Sequence, residues 1–252
     1  GEWRAAARRR NIRFGVSEHL GASHNWWHPC HLYDQFWSPP DWSKMGVPYD
    51  GADPQFADLY QPPHDEAYLG NTQTWYTRDT RFQQLWFRRI RDLIDSYQPD
   101  LLYTDGGIPF GEVGRSLLAH FYNSSIARNG RLQAVYNCKD MGSGEFYREA
   151  CVQDVERGVM SGIHDRPWQT DTSNGDWYYA DDYNYKTGPD IIRMLADIVS
   201  KNGNMLLNVV LYPDGSLPPE SQALLADLTA WMRVNSEAIH RTRPWLIHGE
   251  GP

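Results

Sequence analysis

The 252-residue chain has no apolar run approaching the ~20 residues that a membrane-spanning helix needs, so a membrane is not among its expected partners. Positive charge is scarce as well. Lys and Arg number 24 against 32 Asp and Glu, a formal net charge of −8, and the one basic cluster is Arg8, Arg9 and Arg10. Nucleic acid is bound through a basic face that neutralises phosphates, and no such face is encoded. Cysteine is limited to Cys30, Cys138 and Cys151. Their spacing is not that of paired metal ligands, and an odd number cannot all pair within the chain, so they read as free thiols. There is no GxGxxG turn, no GxxxxGK[ST] loop and no HExxH helix, which removes the common phosphate-cradling and zinc-protease signatures. The chain also lacks an initiator Met and a signal peptide. Gly1-Glu2-Trp3 reads like the middle of a helix, so a fragment is expected.

Aromatic residues are abundant, with 11 Trp and 15 Tyr. Two readings compete. Sugar rings present flat C–H faces that pack on aromatic faces, and aromatics also simply fill large cores.

Strands and helices alternate along the chain. An Ala/Arg-rich helix over 2–10 runs into an apolar strand over 12–16. Residues 21–80 show no sustained period and hold Pro39-Pro40 and Pro62-Pro63, as a functional or substrate-shaping loop would. Phe82, Leu85, Ile90, Leu93, Ile94 and Tyr97 then fall on one helical face, and Pro99 stops that helix. A strand follows at 101–104, a helix at 112–127 and a strand at 132–136. Further helices are predicted over 189–202 and 219–240, with a strand over 205–211 between them; Gly203 ends the first of these helices. Alternation of this kind implies a parallel sheet covered by helices. Ser17-Glu18-His19, Asp105-Gly106-Gly107, Asn137-Cys138-Lys139 and Asn208 all fall at or just past strand C-termini, the face on which (β/α)8 barrels build active sites. The expected fold is therefore an α/β, TIM-type barrel, incomplete because four to six strands are too few, with the missing ones upstream of Gly1.

Asp105 stands out at the end of the apolar strand Leu101–Thr104, before two glycines that allow a ligand close to the backbone. Glycosidic cleavage needs two carboxyl groups, one attacking or stabilising the anomeric carbon and one protonating the leaving oxygen. An Asp here could equally cap the next helix. The second carboxyl is sought among Glu145, Glu149, Asp154 and Glu156, which spacing alone does not rank. Trp177, in a Gly/Asp/Asn-rich loop, reads either as a sugar platform or as a core anchor. His19, His24, His28, His31 and His64 raise a metal reading, but Pro29 and the Trp26-Trp27 pair argue against one helix presenting them. His19 is better read as a hydrogen-bond donor to substrate hydroxyls.

Five segments, in order, resemble glycoside hydrolase family 29, the α-L-fucosidases. They are Phe14-Gly15-Val16-Ser17-Glu18-His19, Pro99 through Gly106, and Trp168-Gln169-Thr170-Asp171-Thr172 through Tyr179. The fourth is Asn204 through Val209 followed by Asp214 through Glu220, and the fifth is Val234 through Ile239 followed by Thr242-Arg243-Pro244-Trp245. The resemblance implies a retaining exo-glycosidase that hydrolyses terminal α-L-fucosides through a covalent fucosyl-enzyme on Asp105. It implies Glu156 as the acid/base, twelve residues before Trp168, with Glu149 and Asp154 in reserve, and contacts to the sugar from Glu18, His19, Lys139, Trp168 and Trp177. The implied partner is a fucosylated oligosaccharide or glycoconjugate, with no cofactor and no metal, in a secreted or periplasmic setting.

Departures from the family pattern are Gln169 for a frequent Glu, Asn137-Cys138-Lys139 for Asn-x-Arg, and Ser17-Glu18-His19 for a Tyr-rich strand end. The family's early histidines that hold fucose hydroxyls would lie upstream. Residues 1–245 are accordingly expected to be part of a catalytic barrel, and 246–252 the start of a linker to a further domain. On their own these residues are expected to be weakly active or inactive. The alternatives are a non-catalytic fucose- or carbohydrate-binding barrel and a metal-dependent hydrolase built on the histidine-rich loop.

Overall fold

The computed structural model describes residues 1–27, 54–62, 64, 66, 75–180 and 183–250. The chain divides into two compact units, Gly1–Cys151 and Val152–Pro252.

The first unit runs α1 (Glu2–Arg9), β1 (Gly15–Glu18), α2 (Leu20–Trp26), a 3-10 turn at Pro54–Phe56, α3 (Ala57–Tyr60), α4 (Thr80–Tyr97), β2 (Leu101–Thr104), α5 (Glu112–Asn129) and β3 (Val135–Cys138). Strands β1, β2 and β3 pair side by side and in parallel, with Glu18 opposite Thr104 and Thr104 opposite Cys138. The helices form where the sequence signals them. Asp79 caps α4 by accepting the Arg81 and Phe82 amides, and Gln98 closes it in the left-handed conformation. Phe82, Trp86, Ile90 and Ile94 on α4 and Leu117, Leu118 and Phe121 on α5 cover the sheet, meeting Leu102, Tyr136 and Cys138. Each large apolar side chain fully buried there contributes about 1.5–3 kcal/mol of transfer free energy.

Strand β1 begins three residues later than periodicity suggests. The Asp100 carboxylate takes the Phe14 amide at 3.0 Å, and the Phe14 carbonyl accepts from Asp100 at 2.7 Å, so the ladder opens only at Gly15. Strand β3 likewise starts at Val135, where the Asp100 carbonyl accepts the Val135 amide. The segment expected to be a loop from residue 21 opens with α2, which buries Gly21 through Asn25.

In the second unit, β4 (Val152–Gln153), β5 (Trp168–Ser173), α6 (Gly188–Ser200), β6 (Gly203–Asn208) and α7 (Pro219–Ile239) follow in order. Strands β5 and β6 are parallel, with Trp168 opposite Gly203 and Ser173 opposite Asn208. A capping box between Thr187 and Asp190 starts α6. Gly203 is needed for packing: a Cβ there would come within 2.6 Å of the Trp168 indole. Strand β5 was not anticipated, because Gln169, Thr170, Thr172 and Ser173 do not read as an apolar strand. They are nevertheless buried. Their polar groups are satisfied locally: Gln169 donates to Asp154 at 2.7 Å and Thr170 to the Val155 carbonyl at 2.8 Å. Both units are thus α/β with parallel strands.

Candidate active site

The level register of the three strands decides what meets at their C-terminal ends. Glu18, Thr104 and Cys138 stand abreast, so the residues that follow them, His19, Asp105 and Lys139, emerge together. The His19 Nε2 lies 3.2 Å from Asp105 Oδ2 and the Lys139 Nζ 3.5 Å from Oδ1. Tyr103 donates to Oδ1 at 3.4 Å. Asp105 keeps 18% of its side chain exposed and Lys139 only 8%, while His19 is 47% exposed.

Burial pushes the Asp105 carboxyl up, but the His19 hydrogen bond and the Lys139 charge outweigh it and hold the group below the ordinary carboxylate range. Burial alone would lower His19, yet the same bond and the charges of Asp105 and Glu18 raise it above its usual value. The result is an ionised carboxylate at a strand mouth, with the His19 ring on one oxygen and the Lys139 ammonium near the other.

The backbone around Asp105 is clamped. Tyr76 donates its hydroxyl to the Asp105 carbonyl at 3.1 Å and the Gly107 carbonyl at 2.9 Å. Gly106 has φ +94°, and a Cβ there would meet the Tyr76 oxygen at 2.7 Å, so a side chain would break the clamp. The Gly107 amide and Ile108 pair with Ser143 and Glu145. Beside His19 stand Trp26, at 5.8 Å between ring centroids, and Trp75, edge-on to Trp26 at 5.1 Å.

Glu18 lies beneath this layer rather than in it. It is buried and accepts from Thr104 Oγ1 at 3.0 Å, Trp86 Nε1 at 3.3 Å and the Gly21 amide at 3.3 Å. Tyr136 donates in turn to Thr104 at 2.8 Å. Burial pushes the Glu18 carboxyl above its ordinary value against these donors.

The remaining carboxyl candidates differ in setting. Glu145 is engaged by Arg115 at 2.6 and 2.7 Å, and Glu149 is exposed. Asp154, in the second unit, is buried under the Gln169 amide. Glu156 is exposed in the turn that follows. Trp168 has no exposed surface; its indole donates to the Lys201 carbonyl at 2.9 Å, within the core of the second unit. Trp177 is 37% exposed, with the Arg157 guanidinium 4.5 Å from its ring centre. Asn208, at the end of β6, holds the Trp177 carbonyl at 3.2 Å.

Sequence reasoning missed Tyr76, Trp26, Trp75 and the Arg157 stack. Tyr76 and Trp75 carry no pattern that ties them to Asp105, and Arg157 reads as one more surface cation. Among the described residues no group of three or more His, Cys, Asp and Glu side chains is arranged to hold a metal ion. His24 and His64 stack at 4.1 Å, while His28 and His31 lie outside the described residues. No described helix is long and apolar enough to cross a membrane.

Fold and site together define an α/β protein with an ionised carboxylate presented at the C-terminal ends of parallel strands. The chain belongs to the α-L-fucosidase family, whose family model, described as "Alpha-L-fucosidase", matches residues 1–237. It is 26% identical over 258 residues to the tissue α-L-fucosidase of Mus musculus, covering 99% of this chain and 48% of that protein. With the tissue enzyme of Rattus norvegicus it shares 27% over 263 residues, covering 99% and 46%. It thus spans about half the length of these curated relatives. In fold it is similar to the Thermotoga maritima α-fucosidase in complex with fucose, at a TM-score of 0.61 and 21% identity, over 97% of this chain and 46% of that one. It is also similar to a Bacteroides thetaiotaomicron α-L-fucosidase trapped as a covalent intermediate with 2-fluoro-fucosyl fluoride, at 0.55 and 15%, over 96% and 62%.

Proposed function

We propose that this chain carries the nucleophile and the acid/base of a retaining α-L-fucosidase, with Asp105 attacking the anomeric carbon of a terminal fucoside. The observation that carries this reading is the Asp105 carboxylate, kept ionised at the strand mouth by His19 and Lys139. A nucleophile must be charged before it attacks, and here the His19 hydrogen bond and the Lys139 charge achieve that despite burial. Attack places the Asp105 oxygen on C1 and expels the aglycone oxygen, which takes a proton from the acid. Water, deprotonated by the same group, then releases fucose and frees Asp105.

Family membership and the relative captured as a covalent intermediate support this sequence of steps. Glu156 is proposed as the acid/base, on its exposed turn. His19 and Lys139 contact the sugar beside Asp105, and Trp177 offers an aromatic surface. The burial of Glu18 and Trp168 supports positioning roles for these two. The substrate is a fucosylated oligosaccharide or glycoconjugate. Residues 1–245 are proposed as part of a (β/α)8 barrel completed upstream of Gly1, and 246–252 as the start of a linker to a further domain. A secreted or periplasmic setting fits that substrate.

The test is to incubate the protein, with its upstream strands, with 2-fluoro-fucosyl fluoride and to map the labelled peptide by mass spectrometry. Label on Asp105 is expected. Fucose binding by the folded protein without any label would instead favour a sugar-binding barrel that does not cleave.

A further inference from the structure

Arg157 adopts φ +50°, a left-handed conformation that residues with side chains rarely take and that recurs at functional sites. Gly158 is next to it, yet φ there is not positive, so the residue in the strained position is the arginine. Its backbone and side chain are both engaged. The Arg157 amide donates to the Asp171 carbonyl on β5 at 2.8 Å, and the Val155 amide donates to the Gln169 carbonyl at 2.9 Å, which ties the turn to that strand. The guanidinium donates to Asp176 Oδ1 at 2.9 Å, the oxygen that also accepts the Trp177 amide at 2.8 Å. It simultaneously covers the Trp177 ring at 4.5 Å. Asn208 donates to the Trp177 carbonyl of the same loop at 3.2 Å. An exposed Arg–Asp pair by itself stabilises little. Here the planar fork joins two loops at once, something a lysine does not reproduce.

We propose that Arg157 is a positioning residue for general acid catalysis, locking the turn that carries Glu156 to the Trp177 loop. The inference rests on the fucosidase reading and on Glu156 as its acid/base. General acid catalysis matters in proportion to how poor the leaving group is, because an aglycone that departs readily as an anion needs no proton. An Arg157 that positions the acid therefore affects poor leaving groups selectively, whereas a merely structural one affects all substrates alike.

The experiment, on the protein with its upstream strands, compares kcat/KM on a 2,4-dinitrophenyl and an alkyl α-L-fucoside for the native sequence, Glu156→Gln, Arg157→Gly and Arg157→Lys. Arg157→Gly removes the side chain and relieves the backbone at a positive φ, so folding is not put at risk. The expected result is that both Arg157 variants lose about tenfold more on the alkyl than on the dinitrophenyl substrate, a fraction of the general-acid contribution. Glu156→Gln should show the same selectivity, larger. Equal losses on both substrates, or none, in the Arg157 variants of an active protein would overturn the inference and leave the fucosidase reading standing. Native protein inactive on both fucosides would remove the two together.

Discussion

Replacing Glu18 with leucine tests the layer beneath the strand mouth. The leucine side chain is close in size to the one it replaces, but it accepts no hydrogen bond. Three donors lose their acceptor: the Thr104 hydroxyl at 3.0 Å, the Trp86 indole at 3.3 Å and the Gly21 amide at 3.3 Å. All three belong to buried groups. A buried donor left unsatisfied costs about 1–3 kcal/mol, and removing a buried carboxyl recovers part of that, so the net loss is about 3–5 kcal/mol. For a chain of this size each kcal/mol lowers Tm by roughly 2–4 °C, which puts the melting point about 10 °C lower. Glu18→Gln keeps one oxygen acceptor and the shape, and should lose only about 1–2 kcal/mol. Thermal unfolding followed by circular dichroism distinguishes the two. A leucine variant as stable as the glutamine variant would refute the reasoning, because it would mean that the three donors find other partners. Since Gly21 lies in the first turn of the helix that follows His19, the leucine variant should also weaken the His19–Asp105 contact and lower activity.

Four further predictions can be checked by unfolding, turnover and thiol reactivity. Asp105 lies below its ordinary range, so its contribution to stability is present above its unfolded pKa and lost as pH falls through the folded one; Glu18 lies above its range, so its contribution is present below its unfolded pKa and lost as pH rises through the folded one. Urea unfolding across pH should show the gap between native protein and Asp105→Asn narrowing in acid, and Lys139→Met should move the acidic limb of kcat/KM upward; an unmoved limb would mean that Lys139 does not hold Asp105 ionised. Gly106→Ala, at φ +94° and with a Cβ 2.7 Å from the Tyr76 hydroxyl, should cost about 1–3 kcal/mol and reduce activity well beyond the effect of Tyr76→Phe, as read by denaturation and turnover. Cys138 and Cys151 are buried and not joined in a disulfide, and should react with Ellman's reagent only after unfolding; fast reaction of either in the native protein would contradict that burial.

Much of this protein is legible before any coordinates. Apolar periodicity located α4, β2 and α7 within a residue or so, because those elements carry an uninterrupted stripe or run and clear stop signals such as Pro99. The Asp105-Gly106-Gly107 strand end also stood out, since a polar residue after an apolar strand is a local pattern. Strand β5 was invisible because its buried faces are polar and are satisfied by partners such as Asp154 and the Val155 carbonyl, which adjacency in sequence does not reveal. The bounds of β1 and β3 depend on Asp100, whose carboxylate and carbonyl set where each ladder opens.

The family resemblance also named His19, Lys139 and Glu18, implying sugar contacts from all three alike. Register separates them in space: three strands ending level bring residues 19, 105 and 139 into one cluster and turn Glu18 inward under Trp86. Pattern and order thus determined α4, β2, α7 and the nucleophile candidate, which are properties of short stretches of chain. The ionisation of Asp105, the Tyr76 clamp and the Arg157–Trp177 stack needed the tertiary structure, because each depends on groups that only folding brings within a few ångströms.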